Sequence, residues 1–266
     1  MAIEVFNRYE IKYLMDSWQY EEVQVFLRKY MELDEYNKTH PLYTISNIYY
    51  DTDCNHLIRN SLAKPKYKEK LRLRAYGVPT LEDKVYLEIK KKVRGLVNKR
   101  RTGLTLKEAY EFCSTGKKPE VRKYMNKQVL NEIEYFLQLY DLYPKLYLAY
   151  DRKAYFGVDQ RDLRITFDTN IRVRRYDLRL EAGDHGEKLL DEDIWLMEVK
   201  AEKSIPIWLS KMLSDFGLFK TCFSKYGTEY KALLSKTIKE REQEKCLKQS
   251  LEPQQMEHHY PLSVQF

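Results

Sequence analysis

Between Lys66 and Arg101 charged and aliphatic positions alternate with a period of two, the spacing of a half-buried β-strand. Leu71 and Leu73 alternate with Lys70, Arg72 and Arg74, and Val85, Leu87 and Ile89 alternate with Tyr86, Glu88 and Lys90. Gly77-Val-Pro79 and Gly95 punctuate the run, and Val97, Lys99 and Arg101 share one face of a third strand, opposite Asn98 and Arg100. Successive side chains on a strand point to opposite sides, so each strand carries an aliphatic face and a mostly cationic one. Like charges opposite one another across strands repel, and a bound polyanion is the simplest reason to assemble them.

The pattern recurs on both sides of this stretch. Phe6–Tyr13 predicts a strand with Arg8, Glu10 and Lys12 on one face, followed by a helix, WQYEEVQVFLRKYMEL, capped by Asp16 or Ser17. Leu42–Tyr50 predicts another strand, with Asp51-Thr-Asp53 as a turn. Thr105-Leu-Lys-Glu108 has capping-box spacing and opens a short helix to about Cys113, and Val121–Leu142 reads as a longer one. Strands resume over Leu146–Tyr155 and Leu163–Asp168, extended by Asn170–Arg175. The polar segment Glu181–Asp193 reads as a mobile excursion, and Ile194–Lys200 as a further strand. A helix between Pro206 and Gly217 and a last helix from Phe223–Tyr226 to about Lys245 complete a single domain over residues 1–245, with 246–266 expected to be a disordered tail.

Composition narrows the partner. The chain of 266 residues is 43% hydrophobic and 33% charged, long enough for a full core and too polar to be membrane-embedded. Its net charge of +7 favours anionic partners. No signal peptide and no apolar run of membrane-crossing length is present, so a cytoplasmic location is expected, with no membrane insertion. Cys54, Cys113, Cys222 and Cys246 lack any CxxC spacing and read as free thiols.

Strands that each present cations on one face could close into a barrel with a charged interior, which would suit a linear chain of phosphates. The unit Glu-x-Lys occurs at Glu10-Ile-Lys12, Glu88-Ile-Lys90 and Glu198-Val-Lys200, setting acid beside base on one strand face. Glu10 and Glu88 read as ion-pair partners, whereas Glu198 is the candidate ligand for Mg²⁺ or Mn²⁺. Neither GxxxxGK[ST] nor GxGxxG is present, and the five histidines suggest no nucleophile triad. Nucleic-acid binding competes with this reading for a basic, Tyr-rich chain, yet most tyrosines alternate with core aliphatics or lie in helices.

The ordered set Arg8-Tyr-Glu-Ile-Lys12-Tyr13, Leu71-Arg-Leu-Arg74, Leu87-Glu-Ile-Lys90, Lys99-Arg-Arg101, Tyr150-Asp-Arg152, Leu163-Arg-Ile-Thr-Phe-Asp168, Met197-Glu-Val-Lys200 and Ser224-Lys-Tyr226 resembles the catalytic domain of VTC-type polyphosphate polymerases, in the triphosphate tunnel metalloenzyme superfamily. The resemblance runs from about Phe6 to Tyr230. It implies an α+β fold: an antiparallel β-barrel tunnel of about eight strands, open at both ends and surrounded by helices. It implies further that Lys12, Arg72, Arg74, Lys90, Arg152 and Arg164 line the lumen and grip phosphates. One basic residue of Lys99–Arg101 would join them, and strand parity fits Lys99 or Arg101 better than Arg100. By the same resemblance Glu198 would hold the metal with Lys200 as its same-face neighbour, Tyr150 would support the phosphate site, and Ser224 and Lys225, at a helix start, would meet the terminal phosphate or the acceptor.

The implied reaction is transfer of the γ-phosphoryl group of ATP to inorganic polyphosphate, with Mn²⁺ or Mg²⁺ as cofactor; the implied catalytic groups are Lys225, Arg152, Arg164 and Lys200. The hydrolase and cyclase branch begins with ExExK, and this chain has Arg8 at the first acidic position. That departure points to the polymerase side and leaves fewer metal ligands. The other readings are a tunnel triphosphatase and a non-catalytic polyphosphate or nucleic-acid binder. The expected context is a stand-alone enzyme of bacterial type, held at the inner face of the membrane through a separate membrane protein that exports product.

Overall fold

A computed structural model describes the backbone of residues 5–94 and 96–251, and the side chains of 9–94 and 96–243. The Arg8 side chain, Gly95 and the expected tail beyond Leu251 lie outside the described residues. The strands are β1 (Val5–Met15), β2 (Met31–Leu33), β3 (Tyr43–Asp51), β4 (Tyr67–Tyr76), β5 (Lys84–Val93), β6 (Leu96–Thr105), β7 (Tyr143–Gly157), β8 (Arg164–Arg174), β9 (Glu187–Lys188), β10 (Trp195–Ala201) and β11 (Lys220–Thr221). The helices are α1 (Ser17–Leu27), α2 (Glu35–Thr39), α3 (His56–Leu62), α4 (Leu106–Thr115), α5 (Lys127–Leu139), α6 (Ile207–Asp215) and α7 (Lys225–Leu251). Two compact units divide the chain, residues 1–229 and 230–266; in the second, α7 continues to Leu251.

The pairing runs β7-β3-β4-β5-β6-β1-β10-β8, and β7 pairs with β8 in turn, so the ladder returns to its start. Every pairing is antiparallel. This is the expected α+β barrel, with β2, β9 and β11 added at its margins. Closure gives each strand one inward and one outward row. The outward rows of β3 to β7, with Ile48, Leu71, Leu73, Leu87, Ile89 and Tyr147, pack under α3, α4 and α5 through Leu57, Phe112, Val129 and Ile133. The outward rows of β1, β8 and β10, with Tyr13, Ile165, Phe167, Met197 and Val199, pack under α1 and α6 through Tyr20, Val23, Leu209 and Met212. The greasy cores are therefore outside the barrel wall.

Local chemistry sets most element ends. Asp16 and Thr105 form capping boxes with Gln19 and Glu108, and Gly116 closes α4 at a φ of 71°. At Gly157 a Cβ would sit 2.4 Å from the Gln160 carbonyl oxygen, so only glycine makes the tight β7–β8 turn.

Several expectations shift. The first helix stops at Leu27, and Met31–Leu33 leaves it to pair with β7. The long helix starts only after Asn126, whose side chain accepts from the Val129 N–H. The Asp51 turn is a buried hub: its carboxylate accepts from the Leu57 and Ile58 N–H groups and from the Tyr226 hydroxyl, fixing α3 and the start of α7. The last helix continues past Lys245 to Leu251. Glu181–Asp193 is not a free excursion, because Arg174 donates to the His185 carbonyl, Arg172 pairs with Asp184, and β9 pairs with β8. Among the described residues no helix is long and apolar enough to cross a membrane.

The two faces of one strand should respond oppositely. Leu87→Ala should cost about 2–5 kcal/mol of stability by leaving a cavity under the helices. Lys90→Ala, three residues on and inward, should cost no more than about 1 kcal/mol. Urea denaturation of both variants measures this, and equal losses would contradict the inside-out arrangement.

Candidate functional site

The inward rows converge on two linked clusters of charge. In the first, register sets Lys12 of β1 opposite Glu198 of β10, and Glu10 opposite Lys200. Opposite charges facing across a ladder attract, which favours this register. Glu198 lies 3.0 Å from Lys12 Nζ, 2.6 Å from Lys200 Nζ, 3.5 Å from Lys225 Nζ and 3.7 Å from Arg152 Nη2. Asp168 of β8 accepts two bonds from Arg152, at 2.6 and 2.8 Å, and one from Lys225 at 2.5 Å. The Lys225 ammonium and the Arg152 guanidinium also lie over the Tyr150 ring, at 4.4 and 5.0 Å.

Glu88 organises the second cluster. Its carboxylate is 2.5 Å from Arg72 Nη2, 2.6 Å from Lys99 Nζ and 3.9 Å from Arg74 Nε. Arg72 also donates to the Tyr49 hydroxyl, and Arg74 to Asn47 Oδ1 and the Tyr150 hydroxyl, each at 3.1 Å. Tyr150 thus touches both clusters. Arg101 lies 4.5 Å over the Tyr86 ring, whereas Arg100 points away from the lumen to Glu132 of α5. Lys90 reaches Glu10 at 3.2 Å. Arg164 sits apart, 3.7 Å from Asp34 and 5.0 Å over Phe156. Ser224 Oγ accepts from the Gly227 N–H at the start of α7.

Burial alone would raise every one of these carboxylates, yet the surrounding cations outweigh it. Lys90, Lys12 and Lys200 hold Glu10 below the usual range; Arg74, Lys99 and Arg72 do so for Glu88. Arg152 and Lys225 do the same for Asp168, and Lys12, Lys200, Lys225 and Arg152 for Glu198. The cations are not all compensated. Register places Lys70, Lys90 and Lys99 side by side across β4, β5 and β6. Burial, then the charges of Lys90, Lys68 and Lys12, push Lys70 down to about 7. Lys200 is pushed down to about 8 by burial, despite Glu198 and Glu10 beside it.

Sequence reading did not single out Lys70 or Asp168. The first shares the inward parity of Arg72 and Arg74, so its position was readable; the second needed the β7–β8 register, which pairs it with Arg152. A separate cavity of about 680 Å³ lies outside the barrel, lined by Tyr110, Cys113, Leu137 and Leu178, away from these clusters.

Replacing Asp168 by Asn should cost about 3–5 kcal/mol of folding free energy, because Arg152 and Lys225 would stay buried without their shared anion. Urea denaturation at neutral pH measures it, and a loss under about 1 kcal/mol would mean that Glu198 takes over the pairing.

No curated protein matches this chain in sequence. Among solved structures, a protein from Bacillus halodurans assigned as an adenylate cyclase superposes with a TM-score of 0.52 at 14% identity, covering 84% of this chain and 96% of its own. A protein from Hippeastrum, assigned as an adenylyl cyclase and described as having a dominant triphosphatase activity, gives a TM-score of 0.48 at 16% identity, covering 86% and 96% of the two chains. The first shares the fold. The VTC domain family matches residues 7–234, which span β1 to α7 and include both charge clusters, and the chain belongs to that family.

Proposed function

We propose that this protein is a polyphosphate polymerase, moving the γ-phosphoryl group of ATP onto the end of an inorganic polyphosphate chain inside the barrel. The observation that carries the reading is the charge balance of the interior. Among the described residues, Lys12, Lys70, Arg72, Arg74, Lys90, Lys99, Arg101, Arg152, Lys200 and Lys225 outnumber the acids that face them, chiefly Glu10, Glu88, Asp168 and Glu198. A row of phosphates supplies the missing negative charge along a line.

Phosphoryl transfer asks mainly for alignment and for cations around the equatorial oxygens of the moving group. Arg72, Lys90 and Lys99 hold the chain, while Arg74, steadied by Tyr150, and Arg101 hold the phosphates of the donor. Arg152, Lys200, Lys225 and Lys12 neutralise the reacting phosphates. Arg164 is assigned to the donor side, and Ser224 keeps Lys225 in place by starting its helix. A terminal phosphate oxygen of the acceptor forms the new bond to the γ-phosphorus, the bond to the β,γ-bridging oxygen breaks, and its electron pair leaves on ADP.

Glu198, with Glu10 sharing Lys12, suits Mn²⁺ or Mg²⁺, since hard cations are commonly held by one or two carboxylates plus substrate phosphates. When bound, such an ion would neutralise phosphate charge and help to orient the donor.

Transfer is favoured over hydrolysis by the state of the acids. An acceptor phosphate is already an anion at neutral pH, whereas water needs a base, and all four carboxylates are held below the range useful for that. Incubation with ATP and Mn²⁺ should therefore yield polyphosphate chains. Orthophosphate alone would identify a triphosphatase, and no turnover with retained tripolyphosphate binding would identify a binder. Glu198→Gln should lower turnover about 100-fold or more while tripolyphosphate still binds.

Binding should also depend on pH. Lys70, titrating at about 7, is mostly neutral at pH 8 in the free protein. The groups around it are Lys68 and Arg72 on its own strand, Lys90 on β5, Lys12 on β1, Asp51 on β3 and Tyr226 on α7. A bound phosphate chain raises it, so binding takes up protons and weakens as pH rises from 7 to 9. Calorimetry of tripolyphosphate binding in buffers of different ionisation enthalpy reads this uptake. Lys70→Met should remove part of it and leave the part due to Lys200; unchanged uptake would place Lys70 outside the bound track.

A further inference from the structure

The inward faces of β3, β4 and β5 carry aromatic rings, on β4 and β5 where the charged rows end. Tyr43 opens β3, Tyr76 ends β4 two residues beyond Arg74, and Tyr86 lies on β5 two residues before Glu88. Tyr36 of α2 joins them. The ring centroids lie 5.6 Å apart for Tyr36–Tyr43, 6.2 Å for Tyr43–Tyr76 and 6.0 Å for Tyr76–Tyr86. Tyr36 and Tyr76 differ from the other pairs: their rings are within 9° of parallel, with centroids 6.2 Å apart. Both are solvent-exposed, at 60% and 41%. Near-parallel, exposed rings offer flat faces on which a planar group can stack.

The surroundings say which flat ligand would come here. The charges of Arg74 and Arg101 hold the Tyr76 hydroxyl below its usual range against its burial, the Arg101 guanidinium covers Tyr86, and Tyr43 faces Arg152 in register. The Tyr43 hydroxyl donates to Asp34 Oδ2, the cap of α2, and Arg164 approaches the same carboxylate at 3.7 Å. The rings are thus tied to the arginines at one end of the cationic track. Farther along the same strands, Lys70, Lys90 and Lys99 lie side by side instead. A molecule suited to both surfaces has a planar aromatic head joined to a row of phosphates.

We infer that Tyr36 and Tyr76, with Tyr43 and Tyr86 beside them, form a stacking subsite for the base of a nucleoside triphosphate whose phosphates run inward past Arg74, Arg101 and Arg152. The inference rests on the nucleotide-donor reading above. It fixes polarity as well: the donor enters at the tyrosine end, and the lysine row belongs to the acceptor chain. Stacking reads the flat face of a base and not its hydrogen-bonding edge.

Tripolyphosphate provides the control, since it has the phosphates of ATP and no base. In a Tyr36→Ala, Tyr76→Ala double variant, ATP should bind about ten-fold more weakly, and tripolyphosphate as tightly as to the wild type. The Tyr36→Phe, Tyr76→Phe variant keeps both rings and should restore most of the ATP affinity. Equal weakening of both ligands, or no change in either, would overturn the subsite. Affinities are read by calorimetry without turnover, so the test separates from that of the reaction: a wild-type protein that makes no polyphosphate but shows the selective loss keeps the subsite and loses the polymerase.

Discussion

Repulsion among cations that face one another across a closed barrel is the constraint on which the rest of the structure depends. Closure leaves an inward side chain nowhere to turn, so the inward charges must be matched by acids on the same wall or by something that enters. The acids present are few, and each serves several bases. Glu198 lies within 4 Å of Lys12, Arg152, Lys200 and Lys225, and Glu88 of Arg72, Arg74 and Lys99. Each carboxylate stabilises the fold by pairing with several cations at once, and would compete with any anion that entered. The lysines show the cost of enclosure: burial pushes Lys70 and Lys200 down, and at Lys70 the neighbouring lysines add to it.

The same constraint inverts the usual distribution of apolar residues. A small barrel normally fills its centre with aliphatic side chains. Here the aliphatic rows point outward and would be exposed but for α1, α3, α4, α5 and α6, which cover them. The helices are therefore the second half of the core and not accessories to it. Their sequence signals reflect this, since Val129, Leu130, Ile133 and Phe136 form a single buried stripe on α5.

Much of this was legible from residue order, because a period of two assigns both strand and face. Parity left the face of the third strand open until the family resemblance favoured Lys99 or Arg101 over Arg100, and Arg100 does leave the lumen for Glu132. Short elements were not legible. The helices α2 and α3 and the strands β2 and β11 depend on partners far away in sequence, such as Asp51 for α3 and β7 for β2. Nor could any local pattern show that Arg174 would hold the 177–185 segment by three backbone carbonyls. Cross-strand partners were the other gap: the Glu-x-Lys unit sets acid and base side by side, yet Glu88 turns to Arg72 and Lys99, while Lys90 turns to Glu10. Period identifies a face, but register chooses the partner.

The distribution of arginines and lysines along the inward rows gives the interior a direction that charge alone would not. Arginine guanidinium groups are planar and stack on rings, as Arg101 does on Tyr86 and Arg164 on Phe156. Lysine ammonium groups are compact, strongly hydrated and adjust their protonation when crowded, as Lys70 does. One part of the track therefore holds its charge fixed at any physiological pH, and the other gains charge when an anion arrives. A phosphate row spanning both would be gripped by geometry at the first and by induced protonation at the second. The second grip relaxes whenever a segment of chain moves past it, which is the property a surface needs if it is to hold a growing polyanion without trapping it.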